Sequence, residues 1–416
     1  MKRVVITGAG AVTPIGNTVA EYTSGLRAGR SGAAAITLFD ASAFRTTFAC
    51  EVKGFDPTLT IDKREARRMD RFAQFALAST HEALEQAGLA AGDHGIDPAR
   101  ISVIYGSGIG GLQSLETEIE QNAGDPSPRQ NPFMIPKMII DIAAGHISMR
   151  YGFTGVNFGT VSACATANHA IMCACDAIRL GRADVVVTGG SEAAITRTGV
   201  GGFASMKALS SRNDDPATAS RPYDAERDGF VLGEGGGALV LESLESARAR
   251  GAEILAEIVG TAATADAHHI TAPHPEGEGA SRAMRLALAE AGLDPSAVDY
   301  LTTHGTSTPL GDVAELKAIA NTFGEDAYRM NISSTKSMTG HLLGAAGAIE
   351  TIAGIAAIRE GFIPPTINHA NVDPAVDPKL NLTFNEAQER DVDVVLSNGF
   401  GFGGHNAVVV LKRFSS

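Results

Sequence analysis

Short β-branched apolar runs alternate along the chain with longer alanine-rich segments whose apolar positions follow a helical spacing. The apolar runs predict buried strands, and several of them close on glycine; they cover residues 3–8, 101–106, 184–189, 238–241 and 393–396. The longer segments predict helices over residues 71–87, 165–180 and 348–359. Strands and helices that alternate in this way predict a layered α/β architecture.

Three segment pairs recur in the same order, which indicates an internal duplication. They are ALEQAGL and ALAEAGL at 83–89 and 287–293, AIRLG and AIREG at 177–181 and 357–361, and DVVVTGG and DVVLSNG at 184–190 and 393–399. We therefore predict two related halves, residues 1–252 with insertions and residues 253–416. A duplicated α/β unit brings equivalent loops around a shared crevice, which is a natural place for an active site.

Composition narrows the classes of function. The chain has 416 residues, of which 44% are hydrophobic, and a formal net charge of −13, which argues against a general binder of nucleic acid or anionic membranes. No apolar run approaches the roughly 20 residues of a membrane helix, and the N-terminal apolar stretch is too short for a signal peptide. Four cysteines without CxxC or zinc-like spacing favour a reducing cytoplasm.

Some motifs point to chemistry that their surroundings do not support. Residues 4–10 suggest a dinucleotide fingerprint, but Thr13 replaces its third glycine and Pro14 interrupts its helix, so a strand ending in a tight turn is favoured. His268 and His269 lack the spacing of a metal site, and we predict no metal. Cys173 and Cys175 lie two apart in a predicted helix, as small core residues would.

Cys164 is the candidate nucleophile. It follows the strand-like residues 156–161 and stands at or just before a helix N-terminus, where the dipole and free N–H groups favour thiolate and lower the thiol pKa. The same N–H groups are able to hold an oxyanion. On this evidence alone, a buried structural cysteine is an equally good interpretation.

Candidate partners for Cys164 come from the second half. The segment 300–308 predicts a strand running into a glycine turn that presents His304, and the segment 333–341 presents Lys336 and His341 before the last helix. The glycine-rich segment 398–406 carries Phe400 and Phe402. It is either a hairpin turn or a mobile lid whose backbone N–H completes an oxyanion hole.

These motifs together resemble the β-ketoacyl-acyl-carrier-protein synthases, specifically the elongating condensing enzymes with a Cys-His-His site. The resemblance extends from residue 4 to residue 412 and includes segments 210–214, 220–222 and 227–230. It implies the thiolase fold, a five-layered α-β-α-β-α arrangement of two related halves. It also implies decarboxylative condensation of a Cys164-bound acyl chain with malonyl-carrier protein, with no cofactor except the phosphopantetheine arm that arrives on the carrier.

The resemblance also assigns roles to residues. His304 and His341 would stabilise an enolate, Lys336 would pair with Glu350, and Phe402 would gate the acyl chain. Asp312 and Glu315 would form an acidic network, the alternative being a solvated helix start. The implied substrate-binding residues, some of which are equally ordinary core positions, are Thr306, Thr308, Thr271, Ile109, Phe203 and Phe400.

A basic segment is the expected dock for an acidic carrier protein, although an ordinary charged helix face has the same composition. Its residues are Lys63, Arg64, Arg67, Arg68 and Arg71, and Arg129 and Lys207 would extend it. The resemblance further implies a homodimer, without nucleic-acid or membrane partners. Two departures from the family pattern are Ala167 and Gly399, where glycine and serine are usual.

Two other functions fit parts of this pattern. The first is the ketosynthase subunit of a dissociated polyketide pathway, which uses the same chemistry on a different chain. The second, from another class, is the non-catalytic subunit that sets chain length, but that subunit lacks the cysteine.

Overall fold

A computed structural model describes residues 2–92, 94–127 and 129–415, and in these ranges strands and helices alternate. The strands are β1 Val4–Val12, β2 Ala34–Ala35, β3 Phe48–Ala49, β4 Ile101–Gly106, β5 Asn157–Phe158, β6 Val185–Glu192, β7 Gly235–Ser243, β8 Ala256–Ala265, β9 Tyr300–Thr302, β10 Asn331–Ser333, β11 Phe362–Ile363, β12 Gln388–Glu389, β13 Val394–Gly401 and β14 His405–Lys412. The helices are α1 Val19–Arg27, α2 Lys63–Ala66, α3 Arg71–Gln86, α4 Leu112–Gln121, α5 Met134–Met138, α6 Ile142–Tyr151, α7 Thr166–Arg179, α8 Arg197–Ser205, α9 Leu244–Ala249, α10 Glu278–Ala291, α11 Pro309–Phe323, α12 Lys336–Thr339 and α13 Ala346–Glu360.

The central sheet consists of two five-stranded units with the same topology. The first has the order β5-β4-β6-β7-β1 and the second has the order β10-β9-β13-β14-β8. In each unit the first two pairings are parallel and the last two are antiparallel. Antiparallel pairing of β1 with β8 joins the units into one sheet.

The recurring sequence segments fall on equivalent elements of these units. One pair lies at the ends of α3 and α10, the second at the ends of α7 and α13, and the third on β6 and β13. The prediction of two related halves is therefore confirmed. The predicted boundary after residue 252 lies between α9 and β8, and treating the halves as separate domains stays a prediction because the sheet continues across it.

Helices and sheet units form five layers. Helices α7 and α13 lie in the middle and contact strands of both units, while α3 covers one outer face and α10 the other. α13 is buried from Ala346 to Ile358, in keeping with its apolar sequence on all sides. The middle layer places the N-terminal ends of both central helices near the crevice between the units.

The N-terminal strand departs from its prediction. β1 runs through Gly8 and Gly10 to Val12, and the tight turn that ends it lies at residues 13–16 rather than at these glycines. A Cβ at Gly8 would lie 2.0 Å from the Ala83 carbonyl oxygen, and one at Gly10 would lie 1.9 Å from the Ser79 carbonyl oxygen. These glycines therefore let α3 approach the strand closely, and they are not turn residues.

The segment before Cys164 is also less regular than predicted. Only Asn157 and Phe158 of residues 156–161 form a strand, because β5 pairs with β4 over just these two positions. Residues 159–162 have no regular secondary structure, and a Cβ at Gly159 would lie 3.0 Å from the Asp141 Cα. In the part of the chain that the structure describes, no helix has the length and apolar character to cross a membrane.

Candidate active site

Cys164 sits on a strained turn that leads directly into α7. It is the middle residue of the 3-10 turn Ala163–Ala165, and Ala163 has a positive φ of 50°, a region that residues other than glycine rarely occupy. The Thr166 hydroxyl braces the turn: it donates to the Ala163 carbonyl at 2.7 Å and accepts from the Ser162 N–H at 2.9 Å. The predicted position at a helix N-terminus is confirmed.

The prediction of a lowered thiol pKa is wrong. Cys164 is only 8% exposed, and burial raises the pKa of its thiol to about 12. The positive charge of Lys336 and the backbone N–H groups of Phe402 and Cys164 act in the opposite direction, but burial outweighs them. These two N–H groups nevertheless converge on the sulfur, which is the arrangement that an oxyanion hole requires.

The two histidines approach each other from separate loops of the second half. His304 follows β9, His341 follows α12, and their ring centroids lie 5.2 Å apart at an interplanar angle of 87°. The Phe400 N–H donates to His304 Nδ1 at 3.3 Å, so Nδ1 must accept and Nε2 carries the proton. Burial and the charge of Lys336 hold both imidazole pKa values well below their usual range.

A buried ion pair lies behind the histidines. Lys336 on α12 donates to Glu350 on α13, and both side chains are almost fully buried. Burial raises the pKa of Glu350, and the charge of Lys336 opposes the shift. Lys336 does not line the cavity, so its effect on the imidazoles is electrostatic.

Asp312 and Glu315 are buried residues of α11 that hold the His304 loop. Glu315 accepts from the backbone N–H groups of His304 at 2.8 Å and Gly305 at 2.7 Å. Asp312 accepts from the Ser307 N–H at 3.1 Å and pairs with Arg227 at 3.2 Å. The alternative interpretation, a solvated helix start, is therefore wrong. Because both carboxylates bind backbone groups, the loop that presents His304 has little freedom.

Cys164 and both histidines line one cavity of about 570 Å³. Every residue that was expected to bind substrate also lines it, namely Thr306, Thr308, Thr271, Ile109, Phe203 and Phe400, as does Phe402. The end nearest Cys164 is apolar, with Phe230 and Leu343 in the same hydrophobic cluster. The arrangement offers a thiol, two neutral N–H donors and an apolar recess to a single ligand.

Comparison with known proteins decides the family. The β-ketoacyl synthase N-terminal domain matches residues 1–247, and its C-terminal domain matches residues 255–370. This chain belongs to the β-ketoacyl synthase family. It is 50% identical over 413 residues to 3-oxoacyl-[acyl-carrier-protein] synthase 2 of Synechocystis, covering 99% of this chain and 98% of the relative. It is also 50% identical to the Staphylococcus aureus (strain N315) protein of the same name over 415 residues, covering 100% and 99%.

Solved structures of ketosynthases share the whole fold. A β-ketoacyl synthase from Burkholderia phymatum STM815 has a TM-score of 0.92 at 38% identity, with both chains fully covered. The ketosynthase AntDE, solved with the acyl-carrier protein AntF of a type II polyketide synthase, has a TM-score of 0.91 at 32% identity over both full chains. The predicted thiolase fold is thus confirmed.

The glycine-rich segment of this ketosynthase is a hairpin turn between β13 and β14. Gly403 and Gly404 have positive φ values of 88° and 74°, as the tight turn requires, and Phe402 projects into the cavity lining. A Cβ at Gly401 would lie 3.1 Å from the Cys164 nitrogen, so only glycine allows the strand to pass so close to the nucleophile. The hairpin interpretation is correct, and motion of the turn stays a prediction.

The two departures from the family pattern occupy tight positions. A Cβ at Gly399 would lie 2.6 Å from Asn168 Oδ1 on α7, so this glycine lets α7 and β13 meet. Ala167 is fully buried one turn after Cys164, and its Cβ would meet an added Cβ at Gly190 at 3.2 Å. Neither Ala167 nor Gly399 lines the cavity, so these departures change no side chain there.

The expected carrier dock is only partly available. Lys63, Arg64, Arg67, Arg68 and Arg129 are exposed, and Lys207 is exposed at the cavity lining. Arg71 is different, because it pairs with the buried Glu234 at 2.7 Å and lies 4.7 Å from the Phe75 ring centroid. Arg71 is therefore less available to a carrier protein than the exposed cations, and its place in the dock stays a prediction.

Sequence reasoning missed the aromatic wall of the cavity. Phe230 packs edge-on against His341 and against Phe203, with ring centroids 5.4 Å apart in both pairs. The segment 227–230 carried the resemblance, but an isolated phenylalanine has no spacing that marks it as a cavity residue. Only tertiary packing brings it to His341.

Proposed function

We propose that this chain condenses an acyl group held on Cys164 with malonyl-acyl-carrier protein, releasing CO2 and 3-oxoacyl-acyl-carrier protein in fatty-acid elongation. The observation that carries the proposal is the joint placement of Cys164, His304 and His341 on one cavity. Relatives that are 50% identical over essentially the whole chain carry the corresponding name.

Acyl transfer is the first step. Cys164 Sγ attacks the carrier thioester, and the proton that the thiol loses is taken up by the departing carrier thiolate. Because burial raises the thiol pKa to about 12, deprotonation must accompany the arrival of substrate rather than precede it. The N–H groups of Cys164 and Phe402 stabilise the tetrahedral oxyanion, and one such donor contributes ~3 kcal/mol.

Decarboxylation and carbon–carbon bond formation follow. Loss of CO2 from the malonyl group leaves its electron pair as an enolate, whose oxygen accepts hydrogen bonds from His304 and His341. Neutral imidazoles suit this role, since their lowered pKa values keep them as donors without a competing positive charge. The enolate carbon then attacks the Cys164 thioester, and the thiolate leaves and regains a proton.

The substrate-binding roles follow from position in the cavity. The hydroxyls of Thr306 and Thr308 lie 3.0 Å apart and bind the phosphopantetheine arm, with Thr271 as a third contact. Ile109, Phe203 and Phe400 contact the acyl chain, and Phe402 moves to admit it. Asp312, Glu315, Lys336 and Glu350 fix the histidine loops, and of these four only Glu315 reaches the cavity lining.

The carrier protein binds near the cavity mouth through exposed cations. Lys63, Arg64, Arg67, Arg68, Arg129 and Lys207 are the candidates, and a related ketosynthase has been solved with its carrier protein.

A homodimer is supported by β5 at the sheet edge, where Val156, Phe158 and Val161 are 45%, 40% and 57% exposed. Phe158→Asp should give a monomer by light scattering if this edge pairs. A cytoplasmic location stays a prediction.

The test of the proposed reaction is a series of acyl-carrier substrates of increasing chain length, each supplied with malonyl-carrier protein. Stoichiometric CO2 and a product longer by two carbons are expected. A preference for long or unsaturated acyl groups favours fatty-acid elongation, whereas repeated malonyl addition to a short primer favours the polyketide role. Absence of both CO2 and condensation product would refute the proposal.

A further inference from the structure

The duplication places a counterpart of the nucleophile turn in the second half. The 180-residue offset between 177–181 and 357–361 also relates Cys164 to Gly344. Gly344 is the middle residue of the 3-10 turn Leu343–Ala345, which leads into α13. Leu343 has a positive φ of 47°, matching the 50° of Ala163. The second half therefore keeps the strained turn but carries no thiol there.

The strands that pass these turns differ at one position. The 209-residue offset between β6 and β13 relates Glu192 to Gly401. Gly401 has no side chain, so it passes close to Cys164 and leaves the Cys164 N–H open to a substrate oxyanion. Glu192 passes Gly344, and its Oε2 accepts from the Gly344 N–H at 3.0 Å. The second half's counterpart of the oxyanion hole is thus filled by a carboxylate of the first half.

Glu192 also holds the loop that follows β4. Its Oε2 accepts from the Gly108 N–H at 2.8 Å, and its Oε1 accepts from the Ile109 N–H at 3.1 Å and the Ser107 hydroxyl at 2.8 Å. The side chain is fully buried, and no cation is among its hydrogen-bond partners in the described residues. Burial raises the pKa of the Glu192 carboxyl. The Ser107 hydroxyl and the backbone N–H groups oppose this shift, because they donate to the carboxylate and favour its ionised form.

The two segments that Glu192 joins both border the acyl end of the cavity. Ile109 and Leu343 line it beside Cys164. A Cβ at Gly344 would lie 2.3 Å from the Gly108 nitrogen, so the segments meet backbone to backbone and only glycine fits. The positions of Ile109 and Leu343 in the cavity wall are therefore coupled through the Glu192 carboxylate.

We propose that Glu192 is a positioning residue: by filling the second half's counterpart of the oxyanion hole, it fixes Ile109 and Leu343 and thereby sets which acyl chains reach Cys164. The inference rests on the proposed condensing function. The buried negative charge of Glu192 also disfavours the Cys164 thiolate, an effect smaller than that of burial but in the same direction. The pH dependence of Cys164 alkylation is therefore a second readout, which would not change if the role of Glu192 were only structural.

Glu192→Gln is the informative variant, because glutamine has nearly the same shape but one acceptor oxygen. The NH2 group of the glutamine fits best at the Oε1 position, because the Ser107 hydroxyl is able to accept a hydrogen bond there. At that position the NH2 group faces the Ile109 N–H, so two donors meet and the hydrogen bond to Ile109 is lost. We expect transfer of long acyl groups to Cys164 to fall about tenfold, the effect of one charge-assisted hydrogen bond, with short groups affected less. Loss of the Glu192 charge should lower the pKa of the Cys164 thiol, so the pH profile of its alkylation by iodoacetamide should shift to lower pH. Lys336, His304 and His341 are unchanged in this variant and should cause no shift of their own.

Glu82→Gln is the matched control. Glu82 is a half-buried carboxylate of α3 that accepts from the Ala11 and Val19 N–H groups at 2.9 and 2.7 Å and does not line the cavity. It should change neither the chain-length profile nor the alkylation profile. Ser107→Ala removes only one hydrogen bond to Glu192 and serves if Glu192→Gln does not fold; a smaller change of the chain-length profile in the same direction is expected.

The outcomes separate this inference from the proposed function. If the wild-type protein releases no CO2 and forms no product, the proposed function fails. If the wild type condenses but folded Glu192→Gln, or Ser107→Ala in its place, keeps the wild-type chain-length profile, the role of Glu192 is refuted. An unchanged alkylation profile in folded Glu192→Gln would refute the electrostatic part.

Discussion

The two halves of the chain share a topology but contribute opposite kinds of side chain to the cavity. The first half brings Cys164 with apolar neighbours, among them Ile109, Phe203 and Phe230. The second half brings both histidines, backed by the buried charges of Lys336 and Glu315. Under the proposed reaction, the first half supplies the nucleophile and apolar wall residues, which Leu343 and Phe400 of the second half complete, and the histidines of the second half activate the malonyl group.

The loops that present the histidines are held by buried ion pairs, one of which joins the two halves. The Lys336–Glu350 and Arg227–Asp312 pairs are buried, and burying such pairs about breaks even with apolar packing of the same volume. What they supply is position and charge: rigid loops around His304 and His341 and a nearby cation that keeps the imidazoles neutral. Beside Cys164 the comparable network is that of Glu192, whose carboxylate accepts from backbone N–H groups and pairs with no cation among its hydrogen-bond partners in the described residues.

Removing the nucleophile should have the largest effect. Cys164→Ala should abolish acyl transfer and lower condensation by about 10⁴-fold or more, because no other group in the cavity forms the covalent intermediate. The measurement is mass-spectrometric detection of acylated protein together with product formation. Cys175→Ala, on the helix α7 that follows Cys164 and in the core outside the cavity lining, should retain both. Condensation by Cys164→Ala at the wild-type rate would contradict the assignment.

Removing one histidine should separate the two stages. His304→Ala and His341→Ala should each lower malonyl decarboxylation about 10²-fold, the typical loss of one oriented donor, while acylation of Cys164 continues. Single-turnover acylation and CO2 release measure the stages independently. His269→Ala, an exposed residue outside the cavity lining, is the control. Unchanged CO2 release in both variants would show that the imidazoles do not stabilise the enolate.

The neutral state of the histidines predicts a flat pH profile. Their pKa values are held well below the ordinary histidine value by burial and by Lys336, so lowering the pH from about 8 to about 6 should not protonate them in the folded protein. The decarboxylation rate should therefore show no inflection near pH 6.5. Stability should behave differently: the unfolded chain takes up these protons below about pH 6.5, so the free energy of unfolding falls there. A rate inflection at that pH would contradict the electrostatic account.

How far the sequence could predict these features depends on the range of the interactions. Cys164, His304 and His341 each follow a strand or helix end in a glycine- or serine-rich segment, and the resemblance covered them, so local pattern was enough. The direction of the Cys164 pKa was not predictable, because the helix N-terminus is a local feature whereas burial depends on Phe230, Leu343 and the β13 strand. The pairing of Arg71 was not predictable for the same reason: its partner Glu234 lies 163 residues away.

The smallest expected effect concerns the carrier dock. It distinguishes the exposed cations from Arg71, which pairs with Glu234. Lys207→Glu should raise the KM for the carrier substrate several-fold and leave kcat nearly unchanged, because it reverses one exposed charge at the cavity lining and removes no reacting group. The effect should shrink at high salt. Arg71→Gln should instead leave the carrier KM unchanged and lower the melting temperature, since it leaves Glu234 buried without its cation. A carrier-specific KM effect from Arg71→Gln, with normal stability, would place Arg71 in the dock.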